Sequence, residues 1–157
     1  MMINVTINDV SRRCEVASST VLADVLGDTF GLQGCKAACD QGVCGACTVL
    51  VDDDPVAACS TFAFAADGCS ITTIEGLAQN GVLHAVQKSF IENSAFQCGF
   101  CTSGMILSIV ALLRAHPAPD EETIRDWLDG NVCRCTGYGP IVEAVRRAIP
   151  AHALESA

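Results

Sequence analysis

The chain has 157 residues, half of them apolar, and a formal net charge of −9. This acidic balance argues against nucleic-acid binding, which requires basic patches, and the longest apolar run is too short to span a membrane. Eleven cysteines without a secretory signal pattern at the N-terminus predict a reducing, cytoplasmic setting and not a disulfide framework. The length allows one domain or two small ones.

Alternating apolar residues at the start of the chain predict a β-hairpin. Residues 3–7 alternate between apolar and polar side chains, residues 8–9 carry an Asn-Asp turn signal, and the alternation resumes at residues 14–16. Ser19 or Thr20 is suited to cap a short helix that follows. The N-terminal region is therefore expected to begin with two strands and one helix.

The next stretch carries four cysteines with the spacing C-x4-C-x2-C…C. They are Cys39, Cys44, Cys47 and Cys59. This is the ligand spacing of a plant-type [2Fe–2S] site, in which four soft thiolates hold two irons. Gly42 and Gly45 suit the loop around such a cluster, because glycine accepts positive φ angles and lets the backbone approach closely. A zinc site is the alternative for this set, and the spacing favours iron–sulfur.

Three further strands are predicted around these cysteines. Residues 47–51 and 56–59 flank an Asp-Asp-Asp-Pro turn at residues 52–55, and residues 69–74 form the last strand. Strands, one helix and more strands predict an α+β unit. We place this first domain at residues 1–76.

From residue 77 the pattern becomes helical and predicts four helices. The first presents one apolar face, formed by Val82, Leu83, Val86, Phe90 and Ile91. The second, around residues 105–113, is almost wholly apolar and is expected to be the most buried. Asp120 is a suitable N-cap for the third, and the fourth is expected to begin near Pro140 and to end at Pro150. This gives a second, four-helix domain at residues 77–157.

Four more cysteines lie in the loops at the ends of these helices. They are Cys98, Cys101, Cys133 and Cys135, spaced as C-x2-C and C-x-C. Four thiolates suit zinc as well as an iron–sulfur cluster, although the close pairs of structural zinc sites usually have two to four intervening residues. The spacing of this second set alone therefore leaves both metals open. No nucleophile, general base or phosphate-binding loop accompanies either set in the sequence, so no catalytic residue is predicted.

Three sequence motifs resemble those of a known family. They are Gly34-x-Lys36-x-x-Cys39-Asp40-x-Gly42-x-Cys44-Gly45-Ala46-Cys47-Thr48-Val49, Gln97-Cys98-Gly99-Phe100-Cys101-Thr102-x-Gly104-Met105 and Cys133-Arg134-Cys135-Thr136-Gly137-Tyr138. With them the chain resembles the iron–sulfur subunit of the xanthine oxidase family of molybdenum hydroxylases. That group includes the small subunits of carbon monoxide dehydrogenase and of bacterial dehydrogenases for aldehydes and N-heterocycles. The match covers nearly the whole chain. It departs from the family pattern at Cys35, Ala38 and Ser103, where the family commonly has Thr, Gly and Pro.

The resemblance implies the fold and the cofactors. It implies an α+β architecture: a β-grasp, plant-type ferredoxin-like domain at residues 1–76 and a four-helix-bundle domain at residues 77–157, each with one [2Fe–2S] cluster. It also decides between zinc and iron for the second cysteine set. Cys14, Cys35 and Cys69 remain outside both ligand sets, and they are expected to be small buried apolar residues.

The resemblance further implies partners and a role. The chain is expected to pass electrons singly from a large subunit, which binds molybdenum through molybdopterin, to a medium subunit, which binds FAD. Gln97 is expected to contact the pterin near Cys135. One copy of each subunit per protomer, often dimerised, is the implied assembly. The substrate, an N-heterocycle, an aldehyde or carbon monoxide, is expected to bind outside this chain.

Two alternatives from other functional classes stay open at this point. One is a free-standing two-cluster ferredoxin that meets its partners transiently. The other is a structural or sensory metal protein that holds zinc or a labile cluster. Metal and sulfide content, together with the identity of co-purifying proteins, separates these three hypotheses.

Overall fold

The computed structural model describes residues 1–155, with side chains described through residue 153. The last two residues of the predicted second domain lie outside this part of the chain. Among the described residues, none of the helices combines the length and the apolar character that crossing a membrane requires.

Five strands form one mixed sheet in the N-terminal half of the chain. They are β1 (Met2–Ile7), β2 (Val10–Glu15), β3 (Thr48–Val51), β4 (Asp54–Ala57) and β5 (Ser70–Thr72). Their order across the sheet is β2-β1-β5-β3-β4. β1 runs antiparallel to β2 and parallel to β5, and β3 runs antiparallel to both of its neighbours. The predicted hairpin at the start of the chain is confirmed, because β1 and β2 pair directly.

One helical segment packs across a face of this sheet. It begins as α1 (Leu22–Asp24) and continues as a π-helical turn at Val25–Thr29. Its apolar side chains are buried in the same core as the inward-facing residues of β1. The predicted side-chain cap at Ser19 or Thr20 is wrong. Val21 is the N-cap and has no side-chain capping bond, because the Thr20 hydroxyl accepts a hydrogen bond within the preceding turn instead.

The turn between β3 and β4 is shorter than predicted. Asp52 and Asp53 both adopt left-handed φ angles, of 49° and 72°, as the two central residues of a tight hairpin do. Asp54 and Pro55 therefore belong to β4 and not to the turn. Proline is tolerated there because β4 is an edge strand, where a missing donor can face outward.

Four longer helices follow the sheet. They are α2 (Ala85–Glu92), α3 (Thr102–Ala115), α4 (Glu121–Leu128) and α5 (Gly139–Glu155). α3 is the centre of this region, since every residue from 103 to 113 is buried, and the other three helices pack around it. The predicted cap of the third of these helices is confirmed: Asp120 accepts a hydrogen bond from the Thr123 amide at 2.9 Å.

Two helix boundaries differ from the prediction. α2 begins only after His84, whose side chain caps it, so Val82 and Leu83 precede the helix and are exposed. α5 does not end at Pro150 but continues to Glu155. Ala148 and His152, two residues before and two residues after this proline, are buried, and their packing outweighs the one internal hydrogen bond that proline removes from a helix.

β3 connects the two regions of the molecule. Val49 is buried in the sheet core beneath α1, whereas the next residue, Leu50, is buried in the helical core around α3. Neither residue has exposed surface. Because successive side chains of a strand point to opposite faces, the sheet is covered by α1 on one face and by α3 on the other.

Candidate metal centres

The first cysteine set lies in the long loop that enters β3 and in the turn that follows β4. Cys39 and Cys44 are partly exposed, whereas Cys47 and Cys59 are buried. The thiols lie in two neighbouring pairs, because the Cys44 side chain contributes to the lowered pKa of Cys39 and the Cys59 side chain contributes to the raised pKa of Cys47. Charge on Cys44 also raises the pKa of Cys47, so the two pairs lie near each other. Among residues 1–155, however, no three cysteine, histidine or acidic side chains meet closely enough to hold one metal ion, so the binding of one cluster by these four cysteines stays a prediction.

Backbone amides point at the sulfur atoms of this set. The Cys39 sulfur accepts from the amides of Cys44 and Gln41, at 3.4 and 3.5 Å. The Cys47 sulfur accepts from the Cys59 amide at 3.4 Å. Backbone hydrogen bonds, first of all the one from Cys44, lower the pKa of the Cys39 thiol to about 6. Amides aimed at sulfur stabilise negative charge there, whether it belongs to a thiolate or to an iron–sulfur cluster.

Gly42 and Gly45 let this loop close tightly. Both have left-handed φ angles, of 69° and 70°, which residues with a β-carbon rarely adopt. A β-carbon on Gly42 would lie 2.6 Å from the Ser60 hydroxyl, and one on Gly45 would lie 2.9 Å from the amide carbon of Asn131. Side chains are therefore excluded at both positions by the backbone conformation and by the neighbouring atoms.

The second cysteine set joins the loop before α3 to the loop between α4 and α5. Cys135 donates to the Cys98 sulfur over 3.6 Å, and the Cys133 side chain contributes to the raised pKa of Cys101. Charge on Cys133 raises the pKa of both Cys98 and Cys135, so the four cysteines lie near one another, and their role as the ligands of one cluster stays a prediction. Cys98 and Cys135 are exposed, whereas Cys133 is buried. This site therefore reaches the molecular surface on its Cys98–Cys135 side.

The thiols of the second set differ in acidity. Burial, together with the hydrogen bond to Cys133, raises the pKa of Cys101 to about 12. Burial also opposes ionisation of Cys133, but hydrogen bonds from Thr136 outweigh it and lower the pKa of that thiol. The Phe100 amide lowers the pKa of Cys98. Each set therefore contains a thiol that ionises readily, and the thiolate is the form that binds metal.

Gln97 lies beside Cys135, the residue near which the resemblance places its contact with a pterin. Its side-chain amide donates to the Cys135 carbonyl at 3.2 Å, and both residues are exposed. The contact with a pterin concerns a partner subunit and stays a prediction.

The two sites touch each other through hydrogen bonds. The Val132 amide, next to Cys133, donates to the Cys44 carbonyl at 2.8 Å. The Asn131 side chain donates to the Gly45 carbonyl at 3.0 Å. Sequence reasoning missed both contacts. The local sequence Asn-Val-Cys gives no indication that Asn131 bonds to a residue 86 positions earlier in the chain.

The first turn of α3 makes a further contact between the sites. α3 starts directly after Cys101, and the Ser103 hydroxyl donates to the Gly34 carbonyl at 2.5 Å. A β-carbon on Gly104 would lie 3.0 Å from the Ala46 carbonyl oxygen and closer still to the Gly45 carbonyl oxygen. The helix that follows the second site is thus pressed against the loop of the first.

The three cysteines outside both sets occupy different environments. Cys14 is buried in the sheet core, as expected, whereas Cys69 is only partly buried. Cys35 lies beside the first set: its thiol donates to the Cys47 carbonyl at 3.5 Å. Burial is the main reason why its pKa is raised to about 12. Cys35 is therefore a neutral thiol next to four predicted ligands.

These features fit a [2Fe–2S] group at each site. Each site has four cysteines near one another, and thiolates are the ligands of such clusters. At the first site, amides are aimed at sulfur and glycines leave no room for side chains. At the second, the Thr136 hydroxyl lies 3.1 Å from the Cys133 sulfur. The donor atoms on their own also fit zinc, which binds four thiolates equally well.

Similarity to known proteins decides between these metals. Residues 5–68 match the 2Fe-2S iron-sulfur cluster binding domain, and residues 73–146 match the [2Fe-2S] binding domain. The chain is 46% identical over 142 residues to a probable xanthine dehydrogenase subunit from Bacillus subtilis (strain 168), an alignment that covers 90% of this chain and 82% of the relative. The chain belongs to the iron–sulfur subunits of the xanthine dehydrogenase family.

Other members of this family are similar along the whole chain. The nicotinate dehydrogenase small FeS subunit of Eubacterium barkeri is 44% identical over 147 residues, which is 94% of each chain. The solved structure of quinoline 2-oxidoreductase from Pseudomonas putida 86 matches with a TM-score of 0.94 at 45% identity, over 99% of this chain and 96% of that one. The aldehyde oxidoreductase of Megalodesulfovibrio gigas is 44% identical, but this chain spans only 16% of its length.

Membership of the family establishes the character of the chain. It is an iron–sulfur subunit of a molybdenum-hydroxylase type of oxidoreductase, it has two [2Fe–2S]-binding domains, and it transfers electrons. The predicted α+β fold, a ferredoxin-like domain followed by a four-helix domain, is confirmed. Iron–sulfur is also decided for the second domain, where cysteine spacing leaves zinc open.

Proposed function

We propose that each group of four cysteines holds one [2Fe–2S] cluster of an electron relay. The first group is Cys39, Cys44, Cys47 and Cys59, and the second is Cys98, Cys101, Cys133 and Cys135. The observation that carries the proposal is the direct contact between the groups, in which the Val132 amide donates to the Cys44 carbonyl at 2.8 Å. A bound [2Fe–2S] cluster accepts one electron at a time, so two of them in contact pass a pair of electrons in single steps.

The chain's own residues hold the sulfur ligands and tune their charge. The amides of Cys44 and Cys59 donate to ligand sulfurs of the first group. The Thr136 hydroxyl interacts with the Cys133 sulfur of the second. Hydrogen bonds of this kind favour the more negative, reduced state and so raise the reduction potential.

In this proposal the second group faces a large subunit that binds molybdopterin. Gln97, Cys98 and Cys135 are exposed together, and Phe96 and Phe100 leave 40% and 45% of their surface exposed in the same segment. Exposed aromatic side chains beside a redox centre suit a permanent protein contact. In this proposal Gln97 contacts the pterin while its side-chain amide donates to the Cys135 carbonyl.

The first group faces a medium subunit that binds FAD. Val43, at the tip of the ligand loop, leaves 66% of its surface exposed. One copy of each of the three subunits forms the protomer, which dimerises. Within this chain the two domains divide near residue 76. We place the complex in a reducing, cytoplasmic setting, in which the eleven cysteines stay available as thiols to bind iron.

The substrate is oxidised at the partner subunit and is a small molecule: an N-heterocycle, an aldehyde or carbon monoxide. Three of the relatives described above are named for xanthine, nicotinate and quinoline, and all three compounds are N-heterocycles. We therefore favour an N-heterocycle. In this proposal the chain supplies no side chain to that reaction and sets only how electrons leave it.

Two measurements test the proposal. Reductive titration of the natively purified complex, with low-temperature EPR and with iron and sulfide quantitation, is expected to show two S = ½ signals and about four iron and four sulfide per chain. Purification from the native host is expected to bring down a molybdenum-bearing and a flavin-bearing subunit. Zinc in the second group, or a single signal at full metal loading, would overturn the two-cluster assignment. Isolation as a lone monomer would favour the free-standing ferredoxin.

A further inference from the structure

We propose that Tyr138 and Asn131 are positioning residues that hold the two ligand loops in one register. Tyr138 is the last residue of the third sequence motif, which begins at Cys133, and Asn131 lies two residues before Cys133. The consequence for electron transfer rests on the proposed function. The contacts that hold the loops together are tested separately from it.

Asn131 joins the second ligand loop to the first. Only 3% of its surface is exposed, and its side-chain amide donates to the Gly45 carbonyl at 3.0 Å. The same amide lies 3.4 Å from the Thr48 hydroxyl, which itself donates to the Gly45 carbonyl at 2.7 Å. A buried amide satisfied in this way favours one geometry, because moving it leaves buried polar groups without partners.

Tyr138 holds Asn131 and a predicted cluster ligand from the other side. Its hydroxyl accepts from the Cys133 amide at 2.9 Å and donates to the Asn131 carbonyl at 3.0 Å. The residue has a left-handed φ angle of 66°, which is unfavourable for a residue with a β-carbon. Such a conformation persists only where the surroundings hold it, and here the two backbone groups of the ligand loop do so.

These contacts enclose the backbone hydrogen bond between the two sites. Val132 lies between Asn131 and Cys133, and both of these neighbours are bonded to the Tyr138 hydroxyl. The phenol therefore sets the direction in which the Val132 amide points, toward the Cys44 carbonyl at 2.8 Å. Without the hydroxyl, the segment is released on both sides of Val132 and the contact between the sites loosens.

Tyr138→Phe tests this assignment, because it keeps the ring and removes the hydroxyl. In the full chain with both clusters assembled, the iron content is expected to stay at the wild-type level. The Val132 amide is expected to exchange with deuterium about tenfold faster, the size of effect that loss of one buried hydrogen bond produces. The magnetic splitting between the two reduced clusters, measured by EPR, is expected to decrease. Asn131→Asp puts an acceptor against the Gly45 carbonyl and is expected to change both readouts more strongly.

Ser89→Ala is the matched control. Its hydroxyl also makes a buried hydrogen bond to a backbone carbonyl, that of Ala144 at 2.7 Å, but the bond joins α2 to α5 and lies outside both ligand loops. This variant is expected to lose stability and to leave the exchange of Val132 and the magnetic splitting unchanged.

Amide exchange separates this inference from the proposed function. Wild-type exchange of Val132 in the Tyr138 and Asn131 variants would overturn the inference even if the chain proves to be a two-cluster relay. Slow exchange of Val132 that accelerates in both variants would support it even if only one site carries a cluster. Where a variant fails to assemble, the wild-type chain decides: fast exchange of Val132 there contradicts a held register.

Discussion

Gly104→Ala is expected to destabilise the chain, although alanine normally favours a helix. Gly104 is the third residue of α3, and alanine usually gains about 0.8–1 kcal/mol over glycine inside a helix. Here a β-carbon would lie 3.0 Å from the Ala46 carbonyl oxygen and closer still to the Gly45 carbonyl oxygen. Both are backbone atoms of the first ligand loop, so neither can rotate away.

The size of the effect follows from the displacement that is needed. Overpacking a well-packed interior costs about 1–3 kcal/mol, and the upper end applies because backbone must move against a helix whose residues 103–113 are all buried. Subtracting the helix gain of about 1 kcal/mol leaves a net loss of about 2 kcal/mol. For a chain of this size that corresponds to a melting temperature about 4–8 °C lower.

Thermal unfolding of the cluster-loaded chain, followed by cluster absorbance and by circular dichroism, measures this loss. Gly139→Ala is the matched control, since Gly139 is the first residue of α5 and a β-carbon there meets nothing within 4 Å. The control is expected to melt at or slightly above the wild-type temperature. If Gly104→Ala melts as high as the control with full cluster content, the first turn of α3 is not pressed against the first ligand loop.

Other contacts give further expected outcomes. In the metal-free chain, the rate of Cys39 alkylation is expected to reach half its maximum near pH 6, because backbone hydrogen bonds lower the pKa of this thiol to about 6. Peptide mass spectrometry across a pH series measures this rate. A midpoint near the ordinary thiol pKa of about 8.5 would contradict the prediction. Gln97→Leu removes the donor to the Cys135 carbonyl. In the assembled complex it is expected to slow the reduction of the clusters by substrate while the iron content stays unchanged. A wild-type reduction rate, measured by rapid-mixing absorbance, would count against the proposed position of Gln97. Ser103→Ala removes the hydrogen bond to the Gly34 carbonyl and is expected to lower the free energy of unfolding by about 1–2 kcal/mol, measured by denaturant titration, whereas a loss within error would show that this bond is not stabilising.

The closely spaced cysteines of each group are predictable because ligand spacing is a local property, whereas the pairing of Cys98 and Cys101 with Cys133 and Cys135 follows only from the family resemblance. A loop that wraps around a cluster must place its cysteine ligands within a few residues of one another. The short spacing of Cys39, Cys44 and Cys47 is therefore visible in the sequence alone. The same holds for the cap of α4: Asp120 stands four residues before Ile124, the first residue of an apolar pattern with the helical period, and it is the N-cap. Features that depend on neighbours in sequence are readable without a structure.

The contacts between the two sites are not predictable, because their partners are distant in sequence. Ser103 and Gly34 are 69 residues apart, and Asn131 and Gly45 are 86 apart. Each of these residues also has an ordinary local interpretation, such as a serine in the first turn of a helix. No local pattern distinguishes a polar side chain that joins two loops from one that faces water.

The predicted apolar face of α2 shows a different limit. Val82, Leu83 and Ile91 match the helical period, yet all three are exposed, while Val86 and Phe90 are buried. The apolar period of a sequence indicates which side chains are buried in the complete complex, including side chains that a partner subunit covers. The mismatch between pattern and burial is therefore what a subunit of a larger complex is expected to show.

β3 contributes side chains to both cores, Val49 to the sheet core and Leu50 to the helical core. The two cluster-binding domains are therefore expected to fold, evolve and be transferred as one unit. A nascent chain that ends after β5 contains every strand of the sheet, but Leu50 lacks the helical core in which it is buried. Packing of this face of the sheet is therefore completed only after α3 has left the ribosome. Recombination between β5 and α3 would separate Leu50 from that core. A designer who transplants the first cluster into another scaffold must take α3 along or refit that face of the sheet.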